Sequence, residues 1–213
     1  MSEFLDAAEA AYWRSQWDLA PGVTYLNHGS FGPPPRPVQA ARRAWQEQMD
    51  AQPMDFFFRR LEPAWFQARR RLAGLIGADE RNLVFAENAT AAMNVLAHSL
   101  PLGPGEDVLL TDHEYGAVQR IWRRAAESAE GAAMRIAKLP LPIETAEQVV
   151  DAIFAAASER TRLLVVSHIT SPTAVTLPVE AIVAEAKRRG ILVCIDGPHA
   201  VAQLPPSIVV PKR

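Results

Sequence analysis

Apolar and polar positions follow two patterns along the chain, one typical of strands and the other typical of helices. Compact apolar runs are typical of strands inside a parallel sheet, and they occur at 82–86 (NLVFA), 107–111 (DVLLT), 134–139 (MRIAKL), 162–168 (RLLVVSH) and 191–196 (ILVCID). Elsewhere, apolar residues recur every three or four positions. This spacing predicts helices over residues 36–50, 63–76, 90–100, 115–129, 146–158 and 178–190.

The alternation of strands and helices predicts an α/β fold with three layers, in which helices cover both faces of a mainly parallel sheet. We expect the sheet domain to span residues 81–205, preceded by an N-terminal arm and loop (1–35) and by helices (36–80). Before residue 80 the only strand candidate is VTYLN (23–27), and residues 206–213 are a divergent tail.

Composition narrows the function classes. The 213 residues are 49% hydrophobic and 22% charged, as in an ordinary globular protein. A net charge of −2 argues against a nucleic-acid surface. No apolar stretch approaches the length of a membrane span, and the acidic N-terminus does not resemble a secretory signal. The single cysteine, Cys194, lies in an apolar run, so we expect an inert core thiol and a cytoplasmic location.

Polar residues follow several of the predicted strands, and open α/β sheets bind ligands at the carboxyl ends of their strands. In AENAT, Asn88 or Thr90 begins a helix whose free N–H groups can bind a phosphate, although both residue types are also ordinary N-caps. In TDHEYGA, adjacent acidic and histidine residues rarely converge on one ion, so we expect no metal site. Tyr115 in the same stretch either lies flat on a planar ligand or packs on its own helix.

The polar residues of two further stretches that follow strands have two interpretations each. In SHITSPTA, Ser171 and Thr173 either donate hydrogen bonds to a ligand oxygen or stabilise a turn. In DGPHA, Asp196 ends a buried strand, where a carboxylate is costly without a partner. A protonated heteroaromatic nitrogen would be such a partner, and capping of the following turn is the alternative.

Five stretches, in this order, resemble the class V aminotransferase family of pyridoxal-phosphate enzymes (fold type I), and within it the isopenicillin N epimerase-like group. They are YLNHGSFGPPP (25–35), FAENATAAMNVL (85–96), DHEYGAVQRIW (112–122), SHITSPTAVTLPVE (167–180) and IDGPHAVAQLP (195–205). The resemblance implies the N-terminal part of the family's large domain, pyridoxal 5'-phosphate as cofactor, an amino acid as substrate and a homodimer as the family's assembly.

The resemblance also implies roles for individual residues around the cofactor. Asn88, Ala89 and Thr90 match the turn that binds the cofactor phosphate. Tyr115 matches the residue stacked on the pyridine ring. Asp196 matches the carboxylate that pairs with the protonated ring nitrogen, which lets the ring withdraw electrons from the substrate.

Further residues match positions around the cofactor and the substrate. His199 matches a position near the phenolic oxygen of the ring, and Ser171 and Thr173 match a loop beside that oxygen and the substrate. A loop near the substrate carboxylate is matched by Asn27, His28, Gly29 and Ser30.

The family's cofactor-linking lysine has no counterpart in this sequence. Lys138 and Lys187 lie on the wrong predicted elements, and Lys212 has no flanking match. We therefore expect a truncated pyridoxal-phosphate enzyme that is inactive alone, whether as a natural truncation, a frameshift product or an engineered piece. We also expect exposed sheet edges and poor solubility, or dependence on a partner chain.

Three alternatives stay open. The first is the activity of an intact C–S lyase or a cysteine desulfurase-like enzyme, although Cys194 is a poor candidate for a catalytic thiol. The second is a fragment that binds cofactor without chemistry. The third, an unrelated nucleotide-binding module, is disfavoured because no glycine-rich phosphate motif follows any predicted strand.

Overall fold

The computed structural model describes residues 6–205. The chain forms two compact units, Met1–Arg70 and Arg71–Arg213. Lys212 and the predicted tail at 206–213 lie outside the described residues.

The first unit is helical in its described part. Its elements are α1 (Ala7–Ser15), α2 (His28–Phe31), α3 (Arg36–Ala51), α4 (Pro53–Asp55), the π-helical segment Phe56–Arg60, and α5 (Leu61–Ile76), which continues past the unit boundary. Proline in the first turn of α3 and of α4 suits the start of a helix. The predicted helices at 36–50 and 63–76 are confirmed, whereas residues 23–27 form no strand in the described chain.

The second unit contains a parallel sheet in the strand order β2-β1-β3-β4. Its strands are β1 (Asp107–Thr111), β2 (Ala133–Ala137), β3 (Thr161–Ser167) and β4 (Leu192–Asp196). The helices of this unit are α6 (Ala89–Ser99), α7 (Gly116–Glu127), α8 (Ala146–Ala155) and α9 (Val179–Arg188). These elements match the predicted ones within a few residues, and the α/β prediction is confirmed.

Alternate residues of each central strand enter different apolar clusters, which gives the three layers. Leu109 and Leu164 pack in the cluster that contains residues of α8 and α9. Val108 and Val165 pack in the cluster that contains residues of α6 and α7. Since successive side chains of a strand point to opposite faces, one helix pair covers each face of the sheet.

The strand predicted at residues 82–86 is absent from the described structure. Residues Glu80–Asn82 form a 3-10 turn, and the next residues are irregular, with Val84 82% exposed. A strand needs a hydrogen-bonding neighbour, and β1 is already paired on one side with β2 and on the other with β3. The run also does not pair with the outer edges of β2 or β4, so it has strand propensity but forms no ladder within residues 6–205.

One polar side chain in the core lacks a partner. His168 directly follows β3 and is 1% exposed, and neither ring nitrogen has a hydrogen-bond partner among the described residues. Its backbone N–H donates to the carbonyl oxygen of Asp196 at 2.9 Å. Burial lowers the pKa of the His168 imidazole below its ordinary value of 6.5, because the apolar surroundings disfavour the charged ring.

This imidazole predicts a stability loss in acid. Below pH about 6.5 the unfolded chain binds a proton at His168 that the folded chain does not bind. The free energy of unfolding therefore decreases as the pH is lowered, by up to about 1.4 kcal/mol per pH unit. His168→Leu should remove this contribution to the pH dependence of stability. His98→Gln, at an exposed position, should retain it. Urea unfolding at several pH values measures the slopes, and equal slopes in wild type and His168→Leu would contradict the account.

Candidate functional site

The carboxyl edge of the sheet collects most of the predicted site residues. The loops after β1, β3 and β4 leave the same edge because the strands are parallel. Helix α6 also starts there: its far end leads into the turn before β1, where the Gly105 N–H donates to the Glu130 carbonyl near the end of α7. The eleven residues of α6 span about 16 Å, which places Asn88 towards the edge where β1, β3 and β4 end.

Asn88 is the N-cap of α6. Its Oδ1 accepts a hydrogen bond from the Ala91 N–H at 2.8 Å, which confirms capping as one of its roles. The preceding amides, Ala89 and Thr90, are exposed and have no acceptor within the described chain. A helix start with free N–H groups carries a positive partial charge, so it can bind an anion.

Asp196 ends β4, where its carboxylate is half-buried. Its oxygens accept no hydrogen bond from any residue that the structure describes. Burial raises the pKa of Asp196, and the nearby His199 imidazole opposes part of that rise. This edge of the sheet therefore holds a carboxylate whose charge is incompletely compensated.

Glu114 forms a buried network behind this edge. The side chain is 4% exposed, and its Oε1 accepts hydrogen bonds from Thr111 Oγ1 (2.7 Å) and from the Ser167 N–H (3.1 Å). Its Oε2 accepts from Ser167 Oγ at 2.5 Å. Burial raises the pKa of Glu114 despite these donors, and the charge of Asp196 contributes to the rise. The loop after β1 is thereby tied to the end of β3.

Tyr115 immediately precedes α7 and is 52% exposed. Among the described residues its ring makes no aromatic contact. An exposed aromatic ring at this edge has a face free to contact a planar ligand.

The loop after β3 divides the two predicted hydroxyl residues. Thr173 Oγ1 lies 3.0 Å from His113 Nδ1 and 2.7 Å from Thr170 Oγ1, so its hydroxyl takes part in the turn. Ser171 is exposed, and its hydroxyl has no hydrogen bond within the described chain. Of the two, Ser171 has the side chain available to a ligand.

The remaining predicted residues lie in the first unit. Asn27 is the N-cap residue of α2, which begins at His28 and includes Gly29 and Ser30. The His28 ring makes edge-to-face contacts with Trp17 and Tyr25, with centroids 5.8 Å and 5.1 Å apart.

Sequence reasoning missed the Glu114–Ser167 contact. From sequence, Glu114 was one of the adjacent residues of TDHEYGA that were rejected as a metal site. Ser167 was only part of the predicted strand 162–168 and of the stretch SHITSPTA. The signal was a glutamate three residues after a strand-terminal threonine, which is too common a pattern to single out without the register between strands.

Comparison with known proteins gives the family. The model of the family "Aminotransferase class-V" matches residues 43–209. The isopenicillin N epimerase of Amycolatopsis lactamdurans is 44% identical over 190 residues, which cover 88% of this chain and 47% of that protein. The L-cysteine desulfhydrase of Arabidopsis thaliana is 28% identical over 198 residues, covering 86% of this chain and 43% of that protein.

Solved structures agree on the fold. A mutant of the enzyme C-DES, with glycine covalently linked to its PLP cofactor, superposes with a TM-score of 0.73 at 22% identity, covering 87% of this chain and 49% of the other. The chain thus belongs to the class V aminotransferase family and has the fold of its pyridoxal-phosphate enzymes. Membership implies pyridoxal 5'-phosphate as the cofactor. The chain spans about half the length of the relatives that it matches.

No helix within residues 6–205 has the length and apolar character needed to cross a membrane.

The N-cap of α6 gives a stability prediction. Asn88→Ala removes the acceptor of the Ala91 N–H and should lower the free energy of unfolding by about 1 kcal/mol. Asn88→Asp keeps an acceptor and should remain within a few tenths of a kcal/mol of wild type. Urea unfolding monitored by circular dichroism measures both. Equal stability of Asn88→Ala and Asn88→Asp would show that the cap contributes nothing.

Proposed function

We propose that this chain supplies the ring- and phosphate-binding residues of a pyridoxal-phosphate enzyme that acts on an amino acid. The observation that carries the proposal is Asp196, a half-buried carboxylate without a hydrogen-bond donor in the described structure, at the edge where ligands bind in this fold class. A protonated pyridine nitrogen would supply both the donor and the compensating charge.

Other residues of the second unit fit the rest of the cofactor. The free amides of Ala89 and Thr90 would bind the phosphate, with Asn88 fixing the helix start. Tyr115 would lie on the ring with its exposed face. His199, which is close enough to oppose part of the rise that burial causes in the pKa of Asp196, would lie near the ring's phenolic oxygen. Ser171 has a free hydroxyl for the same region, while Thr173 would support the loop through His113.

When bound, the protonated ring withdraws electrons from the α-carbon of the amino acid, so that a bond to that carbon can break. In this chain, Asp196 would hold the proton on the ring nitrogen, and the helix start would fix the phosphate. For the substrate carboxylate we propose the loop Asn27, His28, Gly29 and Ser30, on the family resemblance alone.

The reaction type follows the relatives only as a proposal. Similarity to an epimerase at 44% identity favours epimerisation or racemisation, and similarity to a cysteine desulfhydrase offers C–S lysis as the alternative. A desulfurase that uses Cys194 as its thiol is disfavoured, because burial raises the pKa of this thiol to about 12 and keeps it protonated.

We further propose that these 213 residues bind the cofactor without a covalent link and do not turn over an amino acid by themselves. Lys138 directly follows β2, which β1 and β3 separate from β4. Three strand spacings amount to about 14 Å, beyond the reach of a lysine side chain to a ring beside Asp196. Lys187 lies on α9, far along the helix from its start.

The role of Asp196 is tested by cofactor binding. Asp196→Asn removes the charge that pairs with the ring nitrogen and should weaken the binding of pyridoxal phosphate about tenfold or more. Asp151→Asn, at an exposed position on α8, is the matched control and should bind as wild type does. Equal affinity of Asp196→Asn and wild type in a fluorescence titration would overturn the assignment.

The same samples test the absence of a covalent link. After borohydride reduction and proteolysis, mass spectrometry should find no lysine modified in proportion to the bound cofactor. Stoichiometric labelling of one lysine would contradict the non-covalent proposal and identify the residue that forms the link.

A further inference from the structure

We propose that Glu114 is a second carboxylate of the cofactor site, a positioning residue whose negative charge acts through Asp196 on the ring nitrogen. This inference rests on the proposed function and assigns a role to the most deeply buried acidic side chain at the carboxyl edge.

The contacts of Glu114 can stabilise an ionised carboxylate. All three of its hydrogen bonds come from groups that can donate: Thr111 Oγ1, the Ser167 N–H and Ser167 Oγ. At 4% exposure the side chain has little water to solvate a charge. A buried charge persists only where donors or an opposite charge compensate for the lost hydration, and the three donors supply part of that compensation.

The strand register brings this charge next to Asp196. Ser167 and Asp196 are paired residues of β3 and β4, on strands about 4.8 Å apart. Both lie two residues after members of the α6 and α7 cluster, Val165 and Cys194, so both side chains point to that face. Glu114, bonded to Ser167 Oγ, is therefore beside Asp196 on the face where α6 begins.

Electrostatic effects agree with this geometry. Burial is the largest cause of the raised pKa of Glu114, and the charge of Asp196 adds to it. Burial is also the largest cause of the raised pKa of Cys194, to which the charges of Asp196 and Glu114 add. Glu114, in the loop after β1, and Cys194, in β4, thus both respond to the negative charge at Asp196.

The positive charge available nearby is small. Burial raises the pKa of Asp196, and His199 is the imidazole that opposes part of that rise. His113 is buried and bonded to Thr173, and its Nε2 lies 3.9 Å from Asp112. No lysine or arginine pairs with Glu114 or Asp196 in the described part of the chain. The two carboxylates therefore form a site that a cation on the ligand stabilises.

Glu114 would act on the ring without touching it. Its charge raises the free-energy cost of removing the proton held between Asp196 and the ring nitrogen, because deprotonation leaves two carboxylates without a cation. The ring would remain protonated to a higher pH than Asp196 alone allows.

The test uses the full chain and 4'-deoxypyridoxine 5'-phosphate, a cofactor analogue without the aldehyde, so that lysines do not react with it. Glu114→Gln keeps the size and an acceptor of the side chain but removes its charge. It should weaken binding of the analogue about tenfold at neutral pH and lower the pH at which the bound ring deprotonates. Glu127→Gln, at an exposed position at the end of α7, should change neither quantity.

An analogue in which carbon replaces the ring nitrogen separates charge from packing. It should bind wild type and Glu114→Gln equally, whereas an equal loss with both analogues would mean that Glu114 only supports the loop and would overturn the inference. If wild type binds the first analogue and loses it with Asp196→Asn, but Glu114→Gln is unchanged, this inference fails and the proposed function stands. If wild type binds neither analogue, the proposed function fails.

Ser167→Ala covers the case in which Glu114→Gln does not fold. It removes the donor to Oε2, so the pKa of Glu114 rises further and its charge is lost at a higher pH. At alkaline pH, Ser167→Ala should bind 4'-deoxypyridoxine phosphate as tightly as wild type does. As the pH is lowered, the variant should lose this affinity at a higher pH than wild type. If Ser167→Ala and wild type lose affinity at the same pH, the proposed role of Glu114 is wrong.

Discussion

Charge compensation at the carboxyl edge of the sheet is the constraint on which this account depends. Asp196 is held at the end of β4 by its pairing with β3, and no donor within the described structure satisfies its carboxylate. A folded protein rarely retains a half-buried, unpaired carboxylate of this kind without a functional partner. The surrounding features, namely a helix start, an exposed tyrosine and a second carboxylate, become intelligible once a cationic ring with a phosphate is the ligand.

The parallel sheet is what makes these features meet. Residues that are far apart along the chain, such as Glu114 and Ser167, come into hydrogen-bonding contact because β1 and β3 are neighbours and both end at one edge. The opposite face, where α8 and α9 pack, is covered by apolar side chains. The residues that we propose for cofactor binding therefore lie at one edge and on one face of the sheet.

Much of the fold was predictable because apolar runs and helical periodicity report burial directly. The five residues of β1 were found with their exact bounds, and Asp196 was predicted as a strand-terminal carboxylate. The failure at residues 82–86 has a different cause: propensity is a local property, but a strand forms only where a neighbour offers hydrogen bonds. Glu114 was missed for a related reason, since its partner Ser167 is specified by strand register and not by nearby sequence.

Our central proposal is that Asp196 keeps the cofactor ring protonated. The most direct measurement is the nitrogen NMR shift of pyridoxal phosphate labelled with nitrogen-15 in the ring and bound to the chain at mildly alkaline pH. The account predicts the shift of a protonated ring nitrogen in wild type and the shift of a neutral one in Asp196→Asn. A neutral ring nitrogen in the wild-type complex, or a protonated one that persists in Asp196→Asn, would contradict it.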